Sequence, residues 1–288
     1  MNIGNQTGST DAAAAAARAK APLSFGMELE YTEISDVGRV RTGNEDYLGS
    51  VQPDSPQRVR SHGWLFAVAD GVGGHDLGEV ASRSAIESIL DGFRSSVAGE
   101  SHFALLNRLI LAANTRIIDA GHAAHANMAT TVVACVLRYD RATIAHVGDS
   151  RCYVIRRGQA TQVTRDHTVA NEQFRVGILS SSELERAETR HVLSRSLGSE
   201  LIVKPDVTEQ QLFAGDVLLL CSDGLHGSVT GADMAAILGP EADLKAAALR
   251  LVSLANERDG NDNISALIVR IKNVERVGMY RGRPYRLP

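Results

Sequence analysis

The chain has 288 residues, 44% of them hydrophobic, and a formal net charge of −4 at pH 7. That length supports a full buried core in one domain or at most two. The mild excess of acidic groups argues against a nucleic-acid-binding surface, which needs a concentrated excess of Lys and Arg. The three cysteines show no paired spacing, which argues against a disulfide framework and a zinc knuckle and favours buried free thiols in a reducing compartment.

The N-terminal region carries a short alanine run at residues 12–17, followed by Arg18 and Lys20. It lacks a basic start followed by a long apolar region, so it is a poor secretory signal. No stretch of about 18 apolar residues occurs, so no membrane span is expected. We expect residues 1–24 to form a disordered arm and the protein to be cytoplasmic.

In the first half of the folded part, apolar alternation predicts a strand that starts near Met27, and the run 64–69 predicts a buried strand. A glycine-rich segment follows. Asp76 and Glu79 then have the spacing of a capping box, which predicts the start of an amphipathic helix that reaches Phe93. A second amphipathic helix is predicted over about 102–122.

In the second half, strands are predicted at 130–138, 142–147 and 152–156, followed by a polar helical insertion over 166–190. Residues 204–212 and 216–221 are predicted to form a strand pair around the turn Ala214-Gly215. A helix over 244–255 and a final strand over 264–271 follow, and the Arg-rich segment 274–288 is predicted to be a solvated tail. Strands and helices do not alternate strictly, which favours an α+β fold with antiparallel or mixed sheets and helices outside them.

Acidic residues stand at the ends of the buried apolar runs. Asp70 ends the run 64–69, Asp223 ends the run 217–222, Asp149 follows 145–148, and Asp262 directly precedes the strand from Ile264. Glu45 and Asp46 stand just before Tyr47-Leu48 in the same way. Carboxylates gathered at one sheet edge repel one another and are costly to bury unless a positive group offsets them.

Hard divalent cations such as Mg²⁺ or Mn²⁺ prefer oxygen ligands and provide that offset, whereas no matching cluster of His or Cys indicates zinc. A single Asp is usually a turn or cap residue, and Asp140, Asp166 and Asp259 are interpreted in that way. Asp70, Asp149, Asp223 and Asp262 have glycine beside them or close by, which allows sharp turns and close approach to a ligand. Together they predict a metal site.

Several segments of the chain, in the same order, resemble the motif series of metal-dependent type 2C protein serine/threonine phosphatases of the bacterial type. The six segments are 36–46 (DVGRVRTGNED), 69–75 (ADGVGGH) together with Gly78-Glu79 and Ala81-Ser82, Thr130-Thr131, 147–151 (VGDSR), 222–225 (SDGL) and 262–264 (DNI). The resemblance covers about residues 27–271. One Asp-Gly pair would carry no weight, whereas six matches in order are specific.

The resemblance implies a four-layer α-β-β-α sandwich of two mixed, mainly antiparallel β-sheets flanked by helices, with the metals at one edge. It implies a phosphatase domain over 25–272 with a mobile flap at about 166–193 that influences substrate access. It leaves an Arg-rich tail at 273–288.

Carried over by position, the resemblance also implies the ligands of two Mn²⁺ or Mg²⁺ ions. Asp70 would bridge both ions and the carbonyl group of Gly71 would bind one of them. Asp223 and Asp262 would complete the site of the other. Asp149 resembles the residue that holds a third metal together with Asp223 in many bacterial members.

The remaining implied roles concern water, phosphate and proton transfer. Glu45 and Asp46 would bind or orient metal-bound water, and Arg41 would hold the substrate phosphate with its planar fork. Two cations would generate hydroxide near neutral pH and stabilise in-line displacement at phosphorus. Some relatives have a His general acid where this chain has Val72. His75 need not replace it, so the general acid is unassigned.

The implied function is hydrolysis of phosphoserine and phosphothreonine in proteins, the substrates being targets of a serine/threonine kinase. Two alternatives stay open: a catalytically inactive scaffold, which would lack metal carboxylates, and a phosphatase for small phosphate esters. Cys221 lacks the arginine of a cysteine-phosphatase loop, and residues 148–152 do not form a nucleophile elbow. A monomer that binds neither nucleic acid nor membrane is expected.

Overall fold

The computed structural model describes residues 26–72, 77–184, 186–280 and 283–286. The described strands are, in chain order, β1 (Met27–Asp36), β2 (Asp46–Val51), β3 (Trp64–Asp70), β4 (Val132–Arg138), β5 (Arg141–Val147), β6 (Arg151–Arg156), β7 (Gln159–Gln162), β8 (Asp206–Gln211), β9 (Val217–Cys221), β10 (Ile264–Val274), β11 (Val277–Tyr280) and β12 (Arg283–Arg286). The helices are α1 (Pro56–Ser61), α2 (Gly78–Arg94), α3 (His102–Ala124), α4 (Val169–Arg175), α5 (Ser181–Leu184), α6 (Asp223–His226), α7 (Gly231–Ile237) and α8 (Leu244–Arg258), with a 3₁₀ turn at Glu188–His191.

Two five-stranded sheets form the centre of the fold. The first sheet has the order β2-β3-β4-β5-β8 and the second the order β1-β10-β9-β6-β7. Every ladder between described strands of these sheets is antiparallel. The predicted sandwich of two sheets flanked by helices is therefore confirmed, and its described strand pairs are antiparallel throughout.

The period-two alternation of strand side chains separates the layers. In β3, Leu65 and Ala67 pack with α2 and α3, whereas Phe66 and Val68 pack against the second sheet, where they meet Leu218. A third cluster joins the other face of the second sheet to α7 and α8. Both faces of β3 are buried, which explains why its sequence is a continuous apolar run.

The two long helices bury one apolar side against the first sheet. Helix α3 begins after Ser101, whose hydroxyl accepts a hydrogen bond from the backbone N–H of Ala104. Helix α2 begins after Leu77, which makes no side-chain cap. The predicted capping residue Asp76 lies outside the described residues, as does His75.

One prediction about the second half of the chain is wrong. The segments predicted as a strand pair around Ala214-Gly215 lie in different sheets, because β8 pairs with β5 whereas β9 pairs with β6 and β10. The predicted solvated tail contains an antiparallel hairpin of β11 and β12. The predicted N-terminal arm lies outside the described residues. Within the described part of the chain, no helix is both long and apolar enough to span a bilayer.

Candidate active site

The predicted acidic residues come together at one edge of the sandwich. Asp70 is the last residue of β3, and Asp46 is its cross-strand partner as the first residue of β2. Asp223 is the first residue of α6, directly after β9, and Asp149 lies between β5 and β6. Asp262 lies in the turn before β10. One edge therefore collects carboxylates from both sheets.

A cavity of about 690 Å³ opens at this edge. Its lining includes four of the predicted acidic residues, together with the predicted Arg41 and Gly71; these four are Asp70, Asp149, Asp223 and Asp262. An adjoining cavity of about 620 Å³ shares Asp149 and Asp223 and is also lined by Arg151 and His226. Asp149 and Asp223 thus stand at the junction of the two cavities.

Four carboxyl groups of this cluster have raised pKa values. Burial, and then the charge of Asp46, raise the pKa of Asp70 well above its usual range. Burial raises the pKa of Asp46 to about 7. Burial and the charge of Asp223 raise the pKa of Asp149 to about 8. Burial and the charge of Asp262 raise the pKa of Asp223.

The environment of Asp46 shows that, in the described part of the chain, the cluster lacks a positive group to compensate its buried oxygen atoms. Its Oδ2 accepts a hydrogen bond of 2.7 Å from the hydroxyl of Ser222, but its Oδ1 is buried and has no hydrogen-bond partner among the described residues. A buried unpaired oxygen among mutually repelling carboxylates is unfavourable unless a cation compensates. The all-oxygen donor set fits Mg²⁺ or Mn²⁺.

Arg41 and Glu45 take different positions around the cluster. The Arg41 guanidinium donates a hydrogen bond of 2.9 Å to Oδ2 of Asp262, and both side chains are 39% exposed. Arg41 therefore keeps donors available to a phosphate in the cavity. The Glu45 carboxylate lies against Gly78 at the start of α2 rather than in the cavity lining: a β-carbon on that glycine would lie 3.1 Å from the Glu45 carboxyl carbon.

Three positioning side chains had no predicted role. Asn263 donates bonds of 2.9 Å to the carbonyl oxygens of Val37 and Gly43 and accepts one of 2.8 Å from the N–H of Glu45. It thereby holds the segment that carries Arg41. Its only sequence signal is its place beside Asp262.

The other two are Thr131 and Ser222. The hydroxyl of Thr131 accepts a bond of 3.0 Å from the N–H of Asp70 and lies 2.7 Å from the hydroxyl of Ser150. Ser222 holds Asp46 and accepts a bond of 3.0 Å from the N–H of Ser265. These hydroxyls join strands of the two sheets around the cluster.

The predicted flap contributes residues to the lining of both cavities. It contains α4, α5 and the 3₁₀ turn, and His191 of that turn lines both cavities. Arg195 ties the flap to the core through Glu172 and Asp206, each at 3.1 Å. Asp166, interpreted from sequence as a turn residue, forms a two-bond ion pair with Arg151 at 2.9 and 2.6 Å.

A second cluster of possible metal ligands consists of His146, His167 and Asp206. The two imidazole rings are stacked, with centroids 4.7 Å apart and planes at 18°, so their in-plane lone pairs do not converge on one point. Asp206 is already engaged by Arg165 and Arg195. Two guanidinium groups disfavour a cation there, so this cluster is a packing arrangement that anchors the flap.

Comparison with known proteins agrees with this geometry. The protein phosphatase 2C family matches residues 32–264. The serine/threonine phosphatase stp of Listeria innocua serovar 6a is 34% identical over 254 residues, which cover 86% of this chain and 96% of that protein.

Solved structures share the fold. A serine/threonine phosphatase of S. agalactiae has a TM-score of 0.78 and 29% identity, with 85% of this chain and 100% of that chain covered. The catalytic domain of the serine/threonine protein phosphatase PstP, solved in complex with two manganese ions, has a TM-score of 0.71 and 32% identity, with 85% and 99% covered. This chain belongs to the protein phosphatase 2C family.

Proposed function

We propose that this protein hydrolyses phosphoserine and phosphothreonine side chains of other proteins with the help of two Mn²⁺ or Mg²⁺ ions. The observation that carries the proposal is the convergence of Asp46, Asp70, Asp149, Asp223 and Asp262 on one edge, where Asp46 presents a buried unpaired oxygen. The intact carboxylate set counts against an inactive scaffold.

Four residues around the cavity would hold the two ions. Asp70 would bridge them, the carbonyl oxygen of Gly71 would bind one, and Asp223 and Asp262 would bind the other. Asp149 and Asp223 would take a third. When bound, such cations supply a nucleophilic water near neutral pH and offset the charge of the phosphate.

The remaining site residues would act on substrate and water. Arg41 would donate its free guanidinium N–H groups to the phosphate oxygens, while its bond to Asp262 keeps the fork in place. Asp46 would orient water through its unpaired Oδ1. Val72 lines the cavity, but its aliphatic side chain has no titratable group, so it cannot act as the general acid.

The choice of a protein substrate over a small ester rests on the family and on the flap, which adds surface beside the cavity. We further propose that the catalytic domain spans 25–272, that its substrates are targets of a serine/threonine kinase, and that the protein acts as a cytoplasmic monomer.

The test is release of phosphate from a phosphothreonine peptide, with and without Mn²⁺, by the wild type and by Asp70→Asn. We expect Mn²⁺-dependent release that falls at least about a hundredfold in the variant, because the bridging carboxylate loses its charge. Asp119→Asn, the same change at an exposed residue of α3, is the control and should retain wild-type release. Full activity of Asp70→Asn would contradict the proposed centre.

A further inference from the structure

His226 connects the two carboxylate-bearing segments at the junction of the cavities. It is the last residue of the short helix α6, whose first residue is Asp223. Its Nε2 lies 3.0 Å from the backbone carbonyl oxygen of Asp149. A carbonyl oxygen only accepts, so Nε2 must carry the proton and donate it. One imidazole thus connects the helix of Asp223 to the segment of Asp149.

This connection opposes an electrostatic repulsion. Asp149 and Asp223 both line the two adjoining cavities, and they carry like charges when both are ionised. Repulsion between the two carboxylates drives their segments apart when no cation lies between them. The hydrogen bond from His226 acts on the backbone, so it leaves both carboxylates free to bind a ligand.

The residues after Asp149 are held as well. The hydroxyl of Ser150 lies 2.7 Å from that of Thr131, and Arg151 is held by its ion pair with Asp166. Thr131 directly precedes β4, and Asp166 is the first residue of the predicted flap, so neither contact involves α6. The hydrogen bond from His226 adds a contact with α6, which links the position of Asp149 to that of Asp223.

We propose that His226 is a positioning residue for a cation shared by Asp149 and Asp223. Its Nε2–H holds the Asp149 backbone so that both carboxylates reach the same ion. The inference rests on the proposed function, in which those two residues take a third divalent cation.

The test is calorimetric titration of the metal-free full chain with Mn²⁺. We expect a tight class of sites and a weaker class, and Asp149→Asn should lose the weaker class. His226→Leu removes the donor at similar bulk and should weaken that class about tenfold while leaving the tight class unchanged. His226→Gln places an amide N–H near the position of Nε2 and should restore most of the affinity.

Two further variants separate positioning from packing. The side chain of His226→Asn is polar but too short to reach the carbonyl oxygen, so this variant should also weaken the weaker class of Mn²⁺ sites about tenfold. It provides the same test if the leucine variant folds poorly. His102→Leu alters another buried histidine, whose Nε2 has no partner among the described residues, and should leave both classes of Mn²⁺ sites unchanged.

The outcomes distinguish the two proposals. Wild-type Mn²⁺ binding by folded His226→Leu and His226→Asn, or equal weakening in the glutamine and leucine variants, would overturn the role of His226 alone. Retention of the weaker class by Asp149→Asn would overturn the third-cation role of Asp149, and the positioning role with it. Absence of any Mn²⁺ binding by the wild type would overturn the proposed function itself.

Discussion

Arg41 is exposed enough to exchange partners during a reaction. Its guanidinium is bonded to Asp262 at 2.9 Å, and 39% of the side chain is accessible. A hydrogen bond between charged groups contributes about 1.5–3 kcal/mol, which corresponds to roughly a tenfold or larger change in binding. Arg41→Ala should therefore raise the KM for a phosphopeptide about tenfold or more, with a smaller effect on kcat.

Steady-state kinetics at saturating Mn²⁺ checks this prediction. Arg41→Lys keeps the charge but loses the planar fork, so its KM should lie between those of the wild type and the alanine variant. Arg116→Ala, at a half-exposed arginine of α3, is the control. An unchanged KM in Arg41→Ala would remove the phosphate role of this residue.

Asn263 acts through the backbone of the segment that carries Arg41. Its amide donates to the carbonyl oxygens of Val37 and Gly43. Asn263→Asp replaces that amide by a carboxylate oxygen, which repels both carbonyl groups at nearly constant volume. We expect a loss of about 2–3 kcal/mol of unfolding free energy, because donors are replaced by unpaired acceptors in a buried site.

Urea unfolding and kinetics together test the role of Asn263. If it positions Arg41, the variant should also show a raised KM under conditions in which it is fully folded. Asn107→Asp, at a half-buried residue of α3 whose amide donates to the carbonyl oxygen of Phe103, is the matched control. Loss of stability with an unchanged KM would limit Asn263 to a structural role.

The acids could be predicted because each follows or precedes its own apolar run, a pattern that is local in sequence. The side chains that position these acids could not be predicted in this way. Asn263 meets Val37 across 226 residues, and Ser222 meets Asp46 across 176. Nothing in the sequence near Ser222 indicates a bond to Asp46, since the two residues approach only when the sheets pack together.

At the scale of elements, the flap depends on few anchors. Arg195 joins α4 to β8 through Glu172 and Asp206 while 27% exposed. Partly exposed ion pairs contribute about 0.2–1 kcal/mol each. Arg195→Ala should thus lower global stability by only about 1 kcal/mol, yet it should loosen the flap.

Hydrogen exchange and substrate comparison check the flap prediction. Amides of α4 and the 3₁₀ turn should exchange faster in Arg195→Ala than in the control Arg175→Ala, whose arginine is bound to Glu172 within the flap itself. The KM for a phosphopeptide should change more than the KM for a small aryl phosphate. Unchanged exchange in the flap would show that other contacts anchor it.

The wrong prediction that β8 pairs with β9 also concerns whole elements. Two strands joined by a short turn usually pair, and the turn Ala214-Gly215 suggested a hairpin. However, β9 is buried at every residue, which suits a central strand between β6 and β10, whereas β8 is mostly half-buried at an edge. Burial on both faces predicts a central position but does not name the neighbours.

At the scale of the molecule, the site exists only where the sheets meet. Asp70 comes from the first sheet, whereas Asp223 and Asp262 flank strands of the second. The sequence pattern alone predicted an α+β fold, and the motif resemblance supplied the four layers. The order of strands within each sheet depends on long-range packing, which no local pattern records.

Gathering carboxylates at this edge makes the stability of the metal-free protein depend on pH. The pKa of Asp46 rises to about 7 and that of Asp149 to about 8 on folding, because burial disfavours the charged forms. At pH values between the pKa of each group in the unfolded state and its pKa in the folded state, the native state binds more protons than the unfolded state. Stability therefore falls as pH rises through this window.

Buried histidines act in the opposite direction at lower pH. Burial lowers the pKa of His102 to about 3 and that of His167 to about 4, so their contribution is lost as pH falls below about 6.5. The carboxylate effect should therefore dominate between about pH 6.5 and pH 8.5, and the buried cysteine thiols, whose pKa values burial also raises, should add to the decline only at the upper end of this range. Over that range we expect the metal-free protein to lose about 1–3 kcal/mol of unfolding free energy.

Denaturant unfolding with and without Mn²⁺ checks this prediction. Saturating Mn²⁺ should remove most of the decline, because the cation replaces the protons and binds only the native state, which adds about 2.7 kcal/mol at a hundred times the Kd. Asp149→Asn should stabilise the metal-free protein at about pH 8.5 while lowering Mn²⁺ affinity, since the amide needs no charge compensation. If the unfolding free energy of the metal-free protein is constant or rises over this range, ionisation of the buried carboxyl groups does not destabilise the native state.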